Sequence, residues 1–152
     1  MSLTLSIADD MKTAMKAGDK ITLETLRSLR AAILEIEKQK IGTTLSEDDD
    51  LTILNTAAKK RREAAEQYRG AGRIDLAEQE EKELEVILRY MPAQLGDDEL
   101  LAIASKAIAD SGATSMKDFG RVMGPLMKQL KGQADGSKIQ NLLKSLLGGE
   151  GA

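Results

Sequence analysis

Apolar residues recur along this chain every three or four positions rather than every second one, the spacing of amphipathic helices and not of strands. Leu3, Ile7, Met11 and Met15 make a first stripe that stops at Gly18, a residue suited to the left-handed turn at a helix end. Asp19 is placed to cap a second helix of about five turns or a little more, which buries Leu23, Leu26, Leu29, Ile33 and Ile36 and ends near Gly42. Ser46 with Asp49 is a variant of the capping box, and Glu47, Asp48 and Asp50 add negative charge where a helix dipole favours it. The third helix then runs through Leu51, Leu54, Ala57, Ala58, Arg61 and Tyr68 to Gly70 and Gly72. Asp75 with Glu78 repeats the start signal for a fourth, striped by Leu76, Leu84, Ile87 and Leu88 and stopped at Met91-Pro92.

Pro92, Gly96 and the acidic Asp97-Asp98-Glu99 combine a stop, a flexible residue and a fresh start, the best domain boundary in the chain. A helix over 97–111 follows. Ser115 with Asp118 opens the next, which carries Phe119, Val122, Met123, Leu126, Met127 and Leu130. Asp135 caps the last, striped by Ile139, Leu142, Leu143, Leu146 and Leu147. Pro125 falls inside one of these helices, where proline removes a donor and clashes with the preceding turn, so a kink or a restart is expected there. The pattern predicts an all-α protein with an N-terminal four-helix body over 1–93, a three-helix body over 94–148 and a frayed tail at 149–152.

Composition narrows the chemistry. The 152 residues include no histidine and no cysteine, which removes the usual zinc and haem ligands, the thiol nucleophile and the commonest general base. No catalytic residue, metal site or cofactor is expected. Phe119, Tyr68 and Tyr90 are the only aromatics, too few for a platform that stacks successive bases. No stretch approaches a membrane span and the N-terminus lacks a signal-peptide pattern, so the expectation is a soluble, cytoplasmic protein.

Charge separates one segment from the rest. The chain is net −3, yet between Gly112 and Leu147 six cations, Lys117, Arg121, Lys128, Lys131, Lys138 and Lys144, face only Asp118 and Asp135, a local +4. Such a reversal marks a candidate polyanion-facing surface, and these six are the candidate RNA-binding residues. Lys131-Gly-Gln-Ala-Asp-Gly-Ser-Lys is no P-loop, since the order of residues and the preceding strand are both missing. It still brings two lysines to a helix start with free amides, which suits a backbone phosphate; the alternative is a capped turn whose lysines only keep the surface soluble.

Lys59, Lys60, Arg62 and Arg73 are secondary basic candidates. Four consecutive residues at 59–62 spread over ~400° of helix, which favours a solvated face over one groove. Arg61, on the apolar edge, is expected to bond a carboxylate across the helix pair, Glu80 or Glu83. Met123 and Met127 read as core fillers.

Several unusual local words occur together and in order: Thr25-Leu-Arg-Ser-Leu-Arg-Ala-Ala-Ile, Lys59-Lys-Arg-Arg-Glu-Ala, Ala71-Gly-Arg-Ile-Asp-Leu-Ala-Glu, Tyr90-Met-Pro-Ala-Gln-Leu and the Gly112 to Lys138 stretch. In this the chain resembles, over nearly its whole length, the YqeY-like family, and it is similar to the tail domain of the B subunit of tRNA-dependent glutamyl/aspartyl amidotransferase. Pro125 stands earlier than the proline of the family's corresponding helix. The resemblance implies a tRNA-binding or accessory module related to that glutamine-dependent carbon-nitrogen ligase, without a catalytic centre of its own, with tRNA, the amidotransferase or another protein as partner. A helical protein-protein interaction module, offering a groove between its long N-terminal helices, stands as the alternative.

Overall fold

A computed structural model describes residues 2–148; the tail expected at 149–152 lies outside them. Among the described residues there are seven α-helices, one short 3-10 turn and no strand. By packing the chain separates into two compact units, Met1–Met91 and Pro92–Ala152.

The first unit comprises α1 (Leu3–Ala17), α2 (Lys20–Gln39), α3 (Glu47–Gly70) and α4 (Ile74–Leu88). Local chemistry sets most of these ends. Gly18 closes α1 at φ 69°, and the Asp19 side chain accepts from the Thr22 amide at 3.1 Å to open α2. Ser46 and Asp49 form a reciprocal capping box at the start of α3, and the Lys40 ammonium, just past the end of α2, reaches Asp49 at 2.6 Å. The start of α4 differs from expectation. Arg73 occupies the cap position without a side-chain bond, while Asp75 lies inside the first turn, as its second residue, and pairs with Arg73 at 3.3 Å.

Ile7, Leu26, Leu29, Ile33, Ile53, Leu54, Ala58, Val86, Ile87 and Met91 make the core of this unit. α3 packs most extensively on α4, and the buried alanines Ala58, Ala65 and Ala77 let the two backbones come close. The expected stripe of α1 is corrected at its end: Met15 is 59% exposed and Ala14 is buried in its place, because seven positions from Ile7 return to the same side of a helix and eight overshoot it. In α2, Thr22 and Thr25 are buried beside the leucines. Their hydroxyls donate to the Asp19 carboxylate and the Ile21 carbonyl, both at 2.7 Å, so no buried polar group is left unpaired there.

The second unit comprises α5 (Asp97–Ser111), the 3-10 turn Met116–Asp118, α6 (Phe119–Gln129) and α7 (Gly136–Gly148) around Leu100, Ala104, Val122, Leu126, Leu130, Ile139 and Leu143. Gly112, at φ 72°, ends α5. Pro125 neither splits α6 nor starts a new helix: α6 runs through it as one element. Gly124 ahead of it has no side chain for the proline ring to crowd, and Val122, Leu126 and Leu130 pin the helix to the core on either side.

Candidate functional site

Of the six C-terminal cations, three fall on α6 and the turn that leads into it. Arg121 and Lys128, exposed and seven residues apart, lie within about 20° of one another around α6, and exposed Lys117 stands in the 3-10 turn just before it. Gly120 and Gly124, also exposed, lie to one side of that row, about 100° and 60° around α6 from Arg121, and a Cβ added at either would meet nothing within 4 Å. The result is a stretch of bare backbone beside a row of cations. Arg121 is oriented by its neighbours: its guanidinium donates to the Ser111 carbonyl and to the Asp118 carboxylate, each at 2.9 Å. Asp118 is held below the usual carboxylate range, first by the Thr114 amide and then by Arg121. The same carboxylate and Ser115 form the capping box that starts this segment, so one aspartate both caps the turn and aims the arginine.

The glycine turn before α7 is built differently from a phosphate cradle. Gly132 is buried at φ 80°, and its carbonyl accepts from Gln94 Nε2 at 2.7 Å, while the Leu95 amide donates to the Gln133 carbonyl at 2.9 Å. The turn is thereby tied to the segment leading into α5. Asp135 accepts from the Ser137 amide at 3.4 Å and opens α7. Lys131 is half-buried and engaged, and Lys138 pairs with Asp97. The first residue of the acidic trio Asp97-Asp98-Glu99 therefore sits beside the lysine expected to receive a phosphate. Lys144 is exposed, but six residues on from Lys138 it points about 120° away around α7. The six cations do not share one face.

The secondary candidates scatter as the helical turn requires. Lys59 sits 4.0 Å from Glu63, Lys60 is exposed, Arg62 is half-buried and Arg73 faces Asp75. Arg61 goes inward, with its side chain 9% exposed and Nη2 lying 3.8 Å from Glu83 across the α3–α4 pair. Nη2 also donates to Ser28 Oγ on α2 at 3.1 Å. Local pattern could not have found Ser28, because the contact spans 33 residues.

Ser28 and Arg61 mark one end of a groove of about 320 Å³ between α2 and α3, floored by Leu29, Ala32, Ile36, Ile53 and Ala57. Among the described residues no cluster of carboxylates suited to a metal occurs, and no helix is long and apolar enough to cross a membrane.

Comparison with known proteins gives a consistent picture. The family model described as Yqey-like protein matches residues 4–147. A protein of Pyrenophora tritici-repentis named altered inheritance of mitochondria protein 41, mitochondrial, is 28% identical over 144 residues, covering 91% of this chain and 77% of its own length. The protein of the same name from Lachancea thermotolerans is 30% identical over 111 residues, 73% of this chain and 56% of its own. An uncharacterized protein of Schizosaccharomyces pombe is 32% identical over 91 residues, 60% of this chain and 73% of its own.

Proposed function

This chain belongs to the YqeY-like family, and on that footing we propose that it is an RNA-binding accessory module, related to tRNA-dependent amidotransferase, that engages tRNA through the open face of α6. The observation that carries this reading is that Arg121 and Lys128 on α6, with Lys117 in the turn before it, stand beside the bare backbone of Gly120 and Gly124. A phosphate chain needs close approach as well as charge, and glycine removes the side chains that would hold it off. With few aromatics to stack bases, the contacts fall on the RNA backbone. In this reading the chemistry of amide transfer belongs to a partner. A cytoplasmic location is part of the same proposal, supported by a cysteine-free composition that suits a reducing compartment. Cell fractionation decides between that compartment and the mitochondrial one carried in the names of two relatives.

The test is tRNA binding as a function of salt. Three phosphate contacts give a log–log slope of roughly −2 to −3 by counterion release, and replacing Lys117 and Lys128 together by alanine flattens it by about two contacts. Lys138→Ala changes little, because that lysine stands on α7, outside the row of cations on α6 and its leading turn, and so does Lys59→Ala with Lys60→Ala. Absence of tRNA binding at low salt, or equal loss from the 59/60 pair, overturns the reading.

The alternative, a helical protein-protein interaction module, is favoured by one observation, the apolar groove between α2 and α3.

A further inference from the structure

Arg61 is the charged side chain buried in the core among the described residues. A guanidinium carries five N–H donors and is costly to bury unless they are used. Here Nη2 serves Ser28 Oγ at 3.1 Å, Glu83 stands off at 3.8 Å, too far for a hydrogen bond, and Nε donates to nothing. Glu83 is itself a weak counter-ion, since its burial, and then the nearby Glu80, push its carboxyl above the usual range. One donor, the buried Nε, is left over, and the guanidinium together with Lys60 lines the end of an apolar groove.

The groove lies at the surface, with Ser28, Glu35, Thr56 and Lys60 of its lining exposed, whereas sites for free small molecules enclose most of their ligand. Its lining includes the small side chains Ala32 on α2 and Ala57 on α3. Lys60 stands beside Arg61 at one end, and Glu35 lies toward the other, seven residues on from Ser28 along α2, a distance of about 10 Å. An occupant thus needs apolar groups in the middle, a carboxylate at one end and a cation roughly two helical turns away. We propose that the α2–α3 groove docks an amphipathic α-helix of a partner protein that sets a carboxylate against Arg61, its apolar side chains over Ala32 and Ala57, and a basic residue near Glu35. This rests on the interaction-module reading and supplies the pattern that reading lacks: an acid, an apolar residue three or four positions later, and a lysine or arginine at the seventh.

The probe is a set of dye-labelled, alanine-rich helical peptides bearing glutamate, leucine and lysine at that spacing, with scrambled peptides of equal composition, read by fluorescence anisotropy on the full chain. Patterned peptides bind and scrambled ones do not. Changing the peptide's glutamate to glutamine weakens binding roughly tenfold or more against the native protein and leaves it unchanged against Arg61→Gln, the signature of a direct charge-assisted contact. Should Arg61→Gln fail to fold, Thr56→Trp on the exposed rim blocks the groove with an unaltered melting curve. The Lys117→Ala/Lys128→Ala protein binds the peptides normally, so failure of this proposal and failure of RNA binding are told apart. The proposal is overturned if patterned and scrambled peptides bind alike, if the glutamine change costs the same in both proteins, or if decanoate binds in the groove while no peptide preference exists.

Discussion

Single polar side chains decide where this protein begins its helices and how it responds to acid. Asp49 receives the Lys40 ammonium at 2.6 Å and the Ser46 amide at 2.9 Å, and those bonds, the lysine's first, bring its carboxyl from 3.8 down to about 2. A carboxyl depressed on folding adds stability that is fully present above its unfolded value and is lost as pH falls through the folded one. Asp49→Asn, which removes the charge and keeps the shape, should therefore lower the melting temperature by a constant amount above about pH 4. The gap to the native protein should close between pH 4 and about 2. A gap of the same size at pH 2 and pH 7 would show that Asp49 acts only as a neutral cap. Ser46→Ala removes the other half of the box and should cost about 1 kcal/mol at neutral pH. Arg61 shows the opposite regime, because its value depends on groups from the two neighbouring helices, α2 and α4, rather than on its own turn.

The elements carry the same contrast between what is local and what is not. Most helix ends follow from two or three neighbouring residues, and those were legible: Gly18 in the left-handed region, Asp19 on the Thr22 amide, Ser46 with Asp49, Ser115 with Asp118. Three details were not legible. Asp75 mimics a cap but sits inside α4, Met15 continues a stripe that Ala14 ends, and Lys138 is taken by Asp97 from another helix. Each depends on which neighbour arrives, and that is set by tertiary packing. The candidate site divides in the same way: the carboxylate partner of Arg61 was readable from its position on the apolar edge, and a groove between the long N-terminal helices was expected, whereas Ser28 at its end was not readable. Pro125 tests how far packing overrides propensity. It denies α6 the bond to the Arg121 carbonyl, yet the helix continues because its apolar side is anchored before and after the proline. Pro125→Ala should therefore stabilise the protein, by up to about 3 kcal/mol less the smaller entropic advantage that proline confers through the unfolded chain. The side chain is exposed, so little packing is lost. A lower melting temperature by circular dichroism would mean that the ring packs in a way the helix needs.

At the scale of the whole molecule, each unit has its own core, and the two differ in how much they can lose. The Pro92–Ala152 unit rests on a cluster of seven buried residues, and a body of that size seldom holds more than about 3–5 kcal/mol from one core. Leu143 is fully buried at its centre. Leu143→Ala should cost about 2–5 kcal/mol, enough to unfold much of this unit near room temperature. The Met1–Met91 unit has a larger cluster, with Leu26, Leu29, Ile33, Leu54 and Ile87 almost wholly excluded from solvent. In Leu143→Ala, amide hydrogen exchange should accelerate across α5, α6 and α7 while staying slow in α2, α3 and α4. Function should divide along the same line: tRNA affinity falls with the loss of the α6 face, and binding of the patterned peptides to the α2–α3 groove persists. Uniform acceleration across all seven helices, or loss of both binding activities together, would instead mean that the second unit's core is required for the first to hold its structure, and that the two proposed surfaces cannot be assigned to separate units.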